Sequence, residues 1–203
     1  MTRVVSIFVF VAILLPLAAR AEGFVELRVG GSFTDDNDVE LSGPGGSIEF
    51  STEYEDSVTG GGRAGYWFDS APWLGVAADI SYFAPEDDTG GPEYEVIPVS
   101  PLIMVRLPLA TSEEFRNGWI QPFLGIGPGI FVSEADFGGA GDDDTVEVGV
   151  DLHAGVNVQM TRSISVFGEY RFTYVEPEFE FQGIEVEPEL STHHIAVGVG
   201  FHF

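Results

Sequence analysis

From Glu22 onward the chain alternates apolar residues with small or polar ones in long runs, and this two-residue period constrains the fold more than any other feature. Such a period marks a strand whose two faces meet different surroundings. The last run shows it in full. Ile195, Val197, Val199, Phe201 and Phe203 fall on one face, and His194, Ala196, Gly198, Gly200 and His202 on the other. Eight such runs are read, over residues 23–34, 57–68, 73–84, 94–107, 119–133, 146–161, 164–176 and 191–203. Each reaches the roughly 9–11 residues that a tilted strand needs to cross a bilayer. No stretch after residue 21 keeps a helical period through its glycines.

Alternation alone does not say which face is wet, because a soluble up-and-down barrel also has eight strands and hides its apolar face inside. The small face decides it. Charges of both signs share that face with the glycines: Glu26 and Arg28, Arg63, Asp79, Asp151, Glu169 and Arg171. Small and charged residues suit a narrow lumen, whereas a soluble barrel this acidic needs its charges outside. Aromatics gather near strand ends, with Tyr66, Phe68, Trp73, Trp119 and Phe203 at one end and Tyr82, Phe131, Phe172 and Tyr174 towards the other. Two such girdles mark a transmembrane barrel. The expected fold is therefore all-β, an eight-stranded antiparallel up-and-down transmembrane β-barrel, apolar outside and polar within.

The connections differ by end. Those after the second, fourth and sixth strands (Asp69–Pro72, Leu107–Gly118 and Thr161–Ser163) are mostly short. Those after the odd strands are long, and segments 34–57, 84–95, 133–147 and 175–190 hold 25 of the 33 acids and no arginine. With 8 arginines, no lysine and a net charge of −25, the chain lacks the clustered cations that nucleic acid needs. With no cysteine it has no disulfide framework and no thiolate zinc site. Residues 1–21 read as a cleaved secretory signal: a basic start, the apolar run Val4–Leu17, and small residues at Ala19 and Ala21. That leaves 22–203 as the barrel domain. An exported chain with an even number of strands places both ends on one side, expected to be the periplasm of a Gram-negative cell, with the acidic loops facing outward.

The sequences Gly61–Phe68, Ile120–Gly129, Phe167–Phe172 and Val197–Phe203 resemble the small eight-stranded outer-membrane barrels of the OmpA-like and opacity-protein type, a porin family, over the barrel alone. The resemblance implies the outer-membrane address. It also implies that the terminal Phe203, with Val199 and Phe201 at alternate positions before it, is the signal read by the barrel-assembly machinery.

Inward Glu26, Arg28, Arg63, Asp79, Asp151, His153, Glu169 and Arg171 are the candidate site. An eight-stranded barrel is just wide enough for side chains to fill, and a charge there has to be paired. Arg63 and Asp79 fall opposite or diagonal on adjacent strands, and His153 lies near Arg171 by hairpin register. The expected role of the set is a salt-bridge plug, the alternative a narrow low-conductance channel whose ion pairs exchange partners. His193 and His194 point to opposite faces and share no ion, and no metal site or cofactor is expected. Ser191 to His194 are the nearest candidates for a lipid-modifying enzyme, but neighbours on one strand do not supply a nucleophile, its base and a group orienting that base, so no enzyme is expected. Gly125, Gly127 and Gly129 answer lumen crowding, since no helix follows to make a phosphate cradle. Expected partners are outer-membrane lipids and lipopolysaccharide; the acidic loops are read as a solvated, salt-tolerant surface, the alternative being Ca²⁺ or Mg²⁺ bridging them to lipopolysaccharide. The protein is expected to be monomeric, with a structural or surface-interaction role. Segments Ser47–Tyr54 and Glu178–Phe181 keep alternating beyond the membrane zone and are expected to extend as hairpins.

Overall fold

A computed structural model of the chain describes residues 21–35, 37–43, 46–52, 54–87, 93–136, 142–181 and 184–203. The expected signal segment lies outside these except for Ala21, where the first strand begins. The strands in chain order are β1 (Ala21–Thr34), β2 (Asn37–Gly43), β3 (Gly46–Thr52), β4 (Tyr54–Glu55), β5 (Ser57–Phe68), β6 (Ala71–Tyr82) and β7 (Glu86–Asp87). They continue with β8 (Glu93–Arg106), β9 (Ile120–Asp136), β10 (Asp142–Gln159), β11 (Ile164–Val175), β12 (Phe179–Phe181), β13 (Ile184–Pro188) and β14 (Leu190–His202). No helix among the described residues is long and apolar enough to cross a membrane.

Eight long strands close on themselves. Each of β1, β5, β6, β8, β9, β10, β11 and β14 pairs antiparallel with the next, and β1 pairs with β14 from Phe24↔His202 to Thr34↔Thr192. Closure leaves no unpaired edge, the condition for a sheet to stand in hydrocarbon. The seam extends past the ladder, since Gly23 N–H donates to Phe203 O and Phe203 N–H to Gly23 O, both at 2.9 Å. Between β8 and β9 the ladder breaks from Val99↔Ile130 to Ile103↔Ile126. Pro101 and Pro128 lie in that break, and proline has no N–H to give a ladder.

The eight expected runs coincide with the eight barrel strands to within two residues except at one upper connection. β9 runs on to Asp136 and β10 starts at Asp142, so much of the acidic segment between them is strand standing above the barrel. The other extensions pair too. β2 and β3 form one hairpin, β12 and β13 another, and β13 pairs with β2 to give a four-stranded sheet.

Apolar side chains face outward. In β14, Ile195, Val197, Val199, Phe201 and Phe203 are exposed, while Ala196, His194 and His202 are buried. Trp73, Trp119 and Phe203 stand exposed at the end holding the chain termini, and Tyr82 at the other. Phe131 is a correction to the girdle reading. It is fully buried inside the barrel, because it shares the face of Phe123, Gly125, Gly127 and Gly129.

Candidate functional site

The lumen is filled in layers, each set by the inward residues at one height of the eight strands. The middle layer is ionic. Arg28 on β1 reaches Asp79 on β6 with two bonds of 2.6 and 2.7 Å, and its Nε lies 3.5 Å from Glu169 on β11. Arg63 on β5 donates to Glu26 through Nε at 2.7 Å, and is ion-paired through Nη2 with Glu26 at 2.6 Å and through Nη1 with Glu169 at 2.8 Å. Its guanidinium also lies 5.1 Å from the ring centre of Phe123. Arg171 on β11 holds Asp151 on β10 through Nε and Nη2 at 2.7 and 2.6 Å. His153 sits between the clusters, 3.0 Å from Asp151 and 3.2 Å from Glu169. All eight side chains are at most 7% exposed. Three arginines meet four carboxylates, and a protonated His153 makes the set neutral.

All eight candidate lumen residues therefore point inward and join one connected group, whereas Val199, Phe201 and Phe203 face outward. The partners differ from the strand-neighbour expectation. Arg63 and Asp79 do face each other in register, yet Arg63 bonds Glu26 and Glu169 while Asp79 goes to Arg28. His153 and Arg171 are likewise opposite, and both turn to Asp151. A long side chain in a narrow lumen can reach across it, so register does not fix the partner.

Three further side chains complete the ionic layer and were not singled out from sequence. Ser100 donates to Asp151 at 2.6 Å, Asn157 to Glu26 at 3.4 Å, and Arg171 to Ser81. Above it comes a hydroxyl layer, with Ser32 bonded to Ser57 at 2.7 Å and Thr173 to His194 at 3.1 Å. Phe83, Tyr94, Val96, Phe131, Val175 and Leu190 cap the lumen beyond that. Below the ions, Phe24, Trp67, Met104, Phe123 and Phe167 form an apolar layer.

A further side chain not singled out from sequence closes the opposite mouth. Arg106 donates to Glu22 at 2.5 Å, to Gln121 at 3.1 Å and to Pro72 O at 2.7 Å, stacked 4.4 Å over Trp67. Glu22 also accepts from Asn117 and His202, at 2.6 and 3.0 Å. The inward period through Glu26 includes Glu22. Arg106 was masked by β8, which is apolar on both faces.

Close approach explains some of the glycines but not Gly125, where a Cβ would meet only ordinary contacts of 3.4 Å and more. A Cβ on Gly127 would stand 1.9 Å from Pro101 O, and one on Gly198 would stand 2.3 Å from the Phe167 ring. His193 lies on the outer face, where its Nδ1 is 2.6 Å from the Tyr170 hydroxyl and its Nε2 3.1 Å from Asp35. The hydroxyl, imidazole and carboxylate come from three segments, a grouping hidden from strand-by-strand reading. Asp79, Asp151 and His153 are close enough to share an ion, but Arg28 and Arg171 already occupy both carboxylates.

A closed sheet that is apolar outside and ion-paired within is a membrane-spanning β-barrel. The chain belongs to the family of the outer membrane protein beta-barrel domain, whose model matches residues 6–203. The family places it in the outer membrane. Among curated protein sequences none matches this chain. Its fold is similar to that of the outer membrane protein OprG from Pseudomonas aeruginosa, with 13% identity, a TM-score of 0.68, and 91% of this chain and 97% of that one covered. It is also similar to Neisserial surface protein A, with 15% identity, a TM-score of 0.57, and 89% and 97% covered. A third likeness is to the N-terminal β-barrel domain of Pseudomonas aeruginosa OprF, with 12% identity, a TM-score of 0.52, and 91% and 98% covered.

Proposed function

We propose that the protein is a non-conducting, non-enzymatic barrel that acts at the cell surface through its acidic extensions. The lumen carries this reading: apolar layers lie on both sides of an eight-residue ion network in which no charge lacks an opposite partner. Removing one member of such a buried pair costs about 3–5 kcal/mol, so water and ions do not easily displace it. The mouth that holds both chain ends and the short turns faces the periplasm, following removal of residues 1–21 as a leader. The opposite mouth carries the four-stranded sheet and the acidic segments, which meet lipopolysaccharide and host or neighbour surfaces, with Ca²⁺ or Mg²⁺ screening the carboxylates.

The test is a planar-bilayer recording of the purified barrel. The plug predicts no steady conductance, and R28A/R171A, which removes two cations of the network, is expected to open one. A second reading, a narrow channel, draws on one contact. Arg28 has a second acceptor in Glu169 at 3.5 Å beside its bond to Asp79, so pairs can exchange without leaving a bare charge. Small, steady unitary currents from the unaltered protein would favour it over the plug.

A further inference from the structure

Crowding within the lumen has no bearing on Gly168, which lies on the outer face of β11. A Cβ there would have nothing within 4 Å, alone among the described glycines. Glycine inside a strand weakens it and often marks a place where another molecule approaches closely. Ladder register sets Gly168 between Val156 of β10 and Val197 of β14. The missing side chain opens a groove of about 830 Å³ on the membrane-facing surface, lined by Leu27, Val29, Val156, Val166, Val197 and Val199. Those six side chains are 40–64% exposed.

The groove runs along the strands. Val166 and Val199 lie on the side of the mouth that holds the chain ends, and Val156, Gly168 and Val197 form the next row. Tyr170, the next outward residue of β11, is 45% exposed and stands beyond them. From Ile164, where β11 begins, to Gly168 is four residues, or about 13 Å at the usual strand rise of roughly 3.3 Å. Half of a hydrocarbon core roughly 30 Å thick is about 15 Å. The groove therefore belongs to one leaflet, the one at the chain-end mouth.

Its foot is the turn from β10 to β11, residues 160–163. Trp119 stands beside it, 45% exposed, with its carbonyl accepting from Gln159 N–H at 2.9 Å. An exposed tryptophan at a strand end marks headgroup level. Arg162 sits in this turn. Arg28, Arg63, Arg106 and Arg171 are in ion pairs, whereas Arg162 pairs with no described residue in a chain that carries 33 carboxylates. Next to it, Thr161 Oγ1 accepts from Ser163 N–H and Ile164 N–H at 3.3 and 3.0 Å, which leaves its own proton to donate. A cation and a hydroxyl at headgroup level suit a phosphate, and the aliphatic groove above them suits a hydrocarbon chain. A free phosphate would leave the groove unfilled, and a neutral hydrocarbon would leave the cation unmatched. We infer that the groove holds an acyl chain of one glycerophospholipid, with the phosphate of that lipid at Arg162. The inference rests on the membrane-spanning barrel and is independent of whether the lumen conducts.

Native mass spectrometry of the full chain released from lipid nanodiscs tests this, with phosphatidylglycerol, the diacylglycerol of the same chains and glycerol phosphate as probes. One phosphatidylglycerol per barrel is expected to stay bound, with a plateau as the lipid is raised. Loss of the phosphate or of the chains is expected to weaken binding by at least about tenfold. G168L fills the groove and is expected to weaken retention by at least about tenfold. R162Q is expected to weaken it about fivefold, the effect of one basic residue at a lipid surface. Both variants are expected to keep the faster gel mobility of the unboiled barrel, and R162Q, in an exposed turn, carries the test alone should G168L fail to fold. No retained lipid, uptake that climbs without a plateau, equal binding of the diacylglycerol, full retention in either folded variant, or a lipid-free dimer would each overturn the assignment.

Discussion

Arg63 shows what keeps a guanidinium inside a membrane barrel. It has carboxylates on two sides and aromatic rings below, Phe123 at 5.1 Å and Phe167 at 5.9 Å. R63A would leave Glu26 and Glu169 short of a cation, and the expected loss is about 3–5 kcal/mol, read from urea unfolding in lipid vesicles. Arg28 and Asp79 allow a sharper experiment. R28M and D79L are each expected to destabilise strongly, but the double variant by less than their sum, with a coupling of about 0.5–3 kcal/mol. Additive losses would mean that the pair is not a unit. All eight of these side chains were legible in the sequence, because a period of two fixes the face of every residue in a strand. Their partners were not legible. Asp79 opposes Arg63 along the ladder, yet bonds Arg28 from two strands away, a choice made by closure and reach across the lumen.

At the scale of the element, β9 shows why glycine recurs on the inner face. Gly127 has no room for a side chain beside Pro101 O, whereas Gly168 on the outer face of β11 has nothing within 4 Å of the place a Cβ would take. G127V is therefore expected to prevent β8 from meeting β9, giving protein without a compact unboiled form on gels. G168V is expected to assemble normally. Strand positions were readable because turns and alternation agree from end to end. The upper limits were misjudged where acids continue the strand, as in β9 and β10, because charge on a strand above the membrane looks like loop. Phe131 was misplaced for a related reason: an aromatic near a strand end suits a girdle as well as an inner cap, and only its parity with Phe123 separates the two.

Across the whole molecule, the sequence sorts its charges by end. Acids crowd the segments after β1, β6, β9 and β11, while the described arginines lie in strands or at the other mouth. Crowded carboxylates repel at low ionic strength, where screening is weak. Chelator added to whole cells at low salt is therefore expected to speed proteolytic cutting within residues 34–57 and 175–190, and Ca²⁺ or Mg²⁺ to restore resistance. Unchanged cutting would dismiss any part for divalent ions. This end-to-end sorting was plain from where the acids fall along the sequence; the joining of two hairpins into one sheet was not, since β13 and β2 are far apart in the chain.

The mutual bonds between Gly23 and Phe203 carry a consequence for biogenesis. The first strand has to wait, one side unzipped, until β14 arrives to fasten it along its length. Until then the free margin of β1 offers its backbone to any other strand that comes near, so the order in which strands arrive decides whether the ring shuts on itself or on a neighbour.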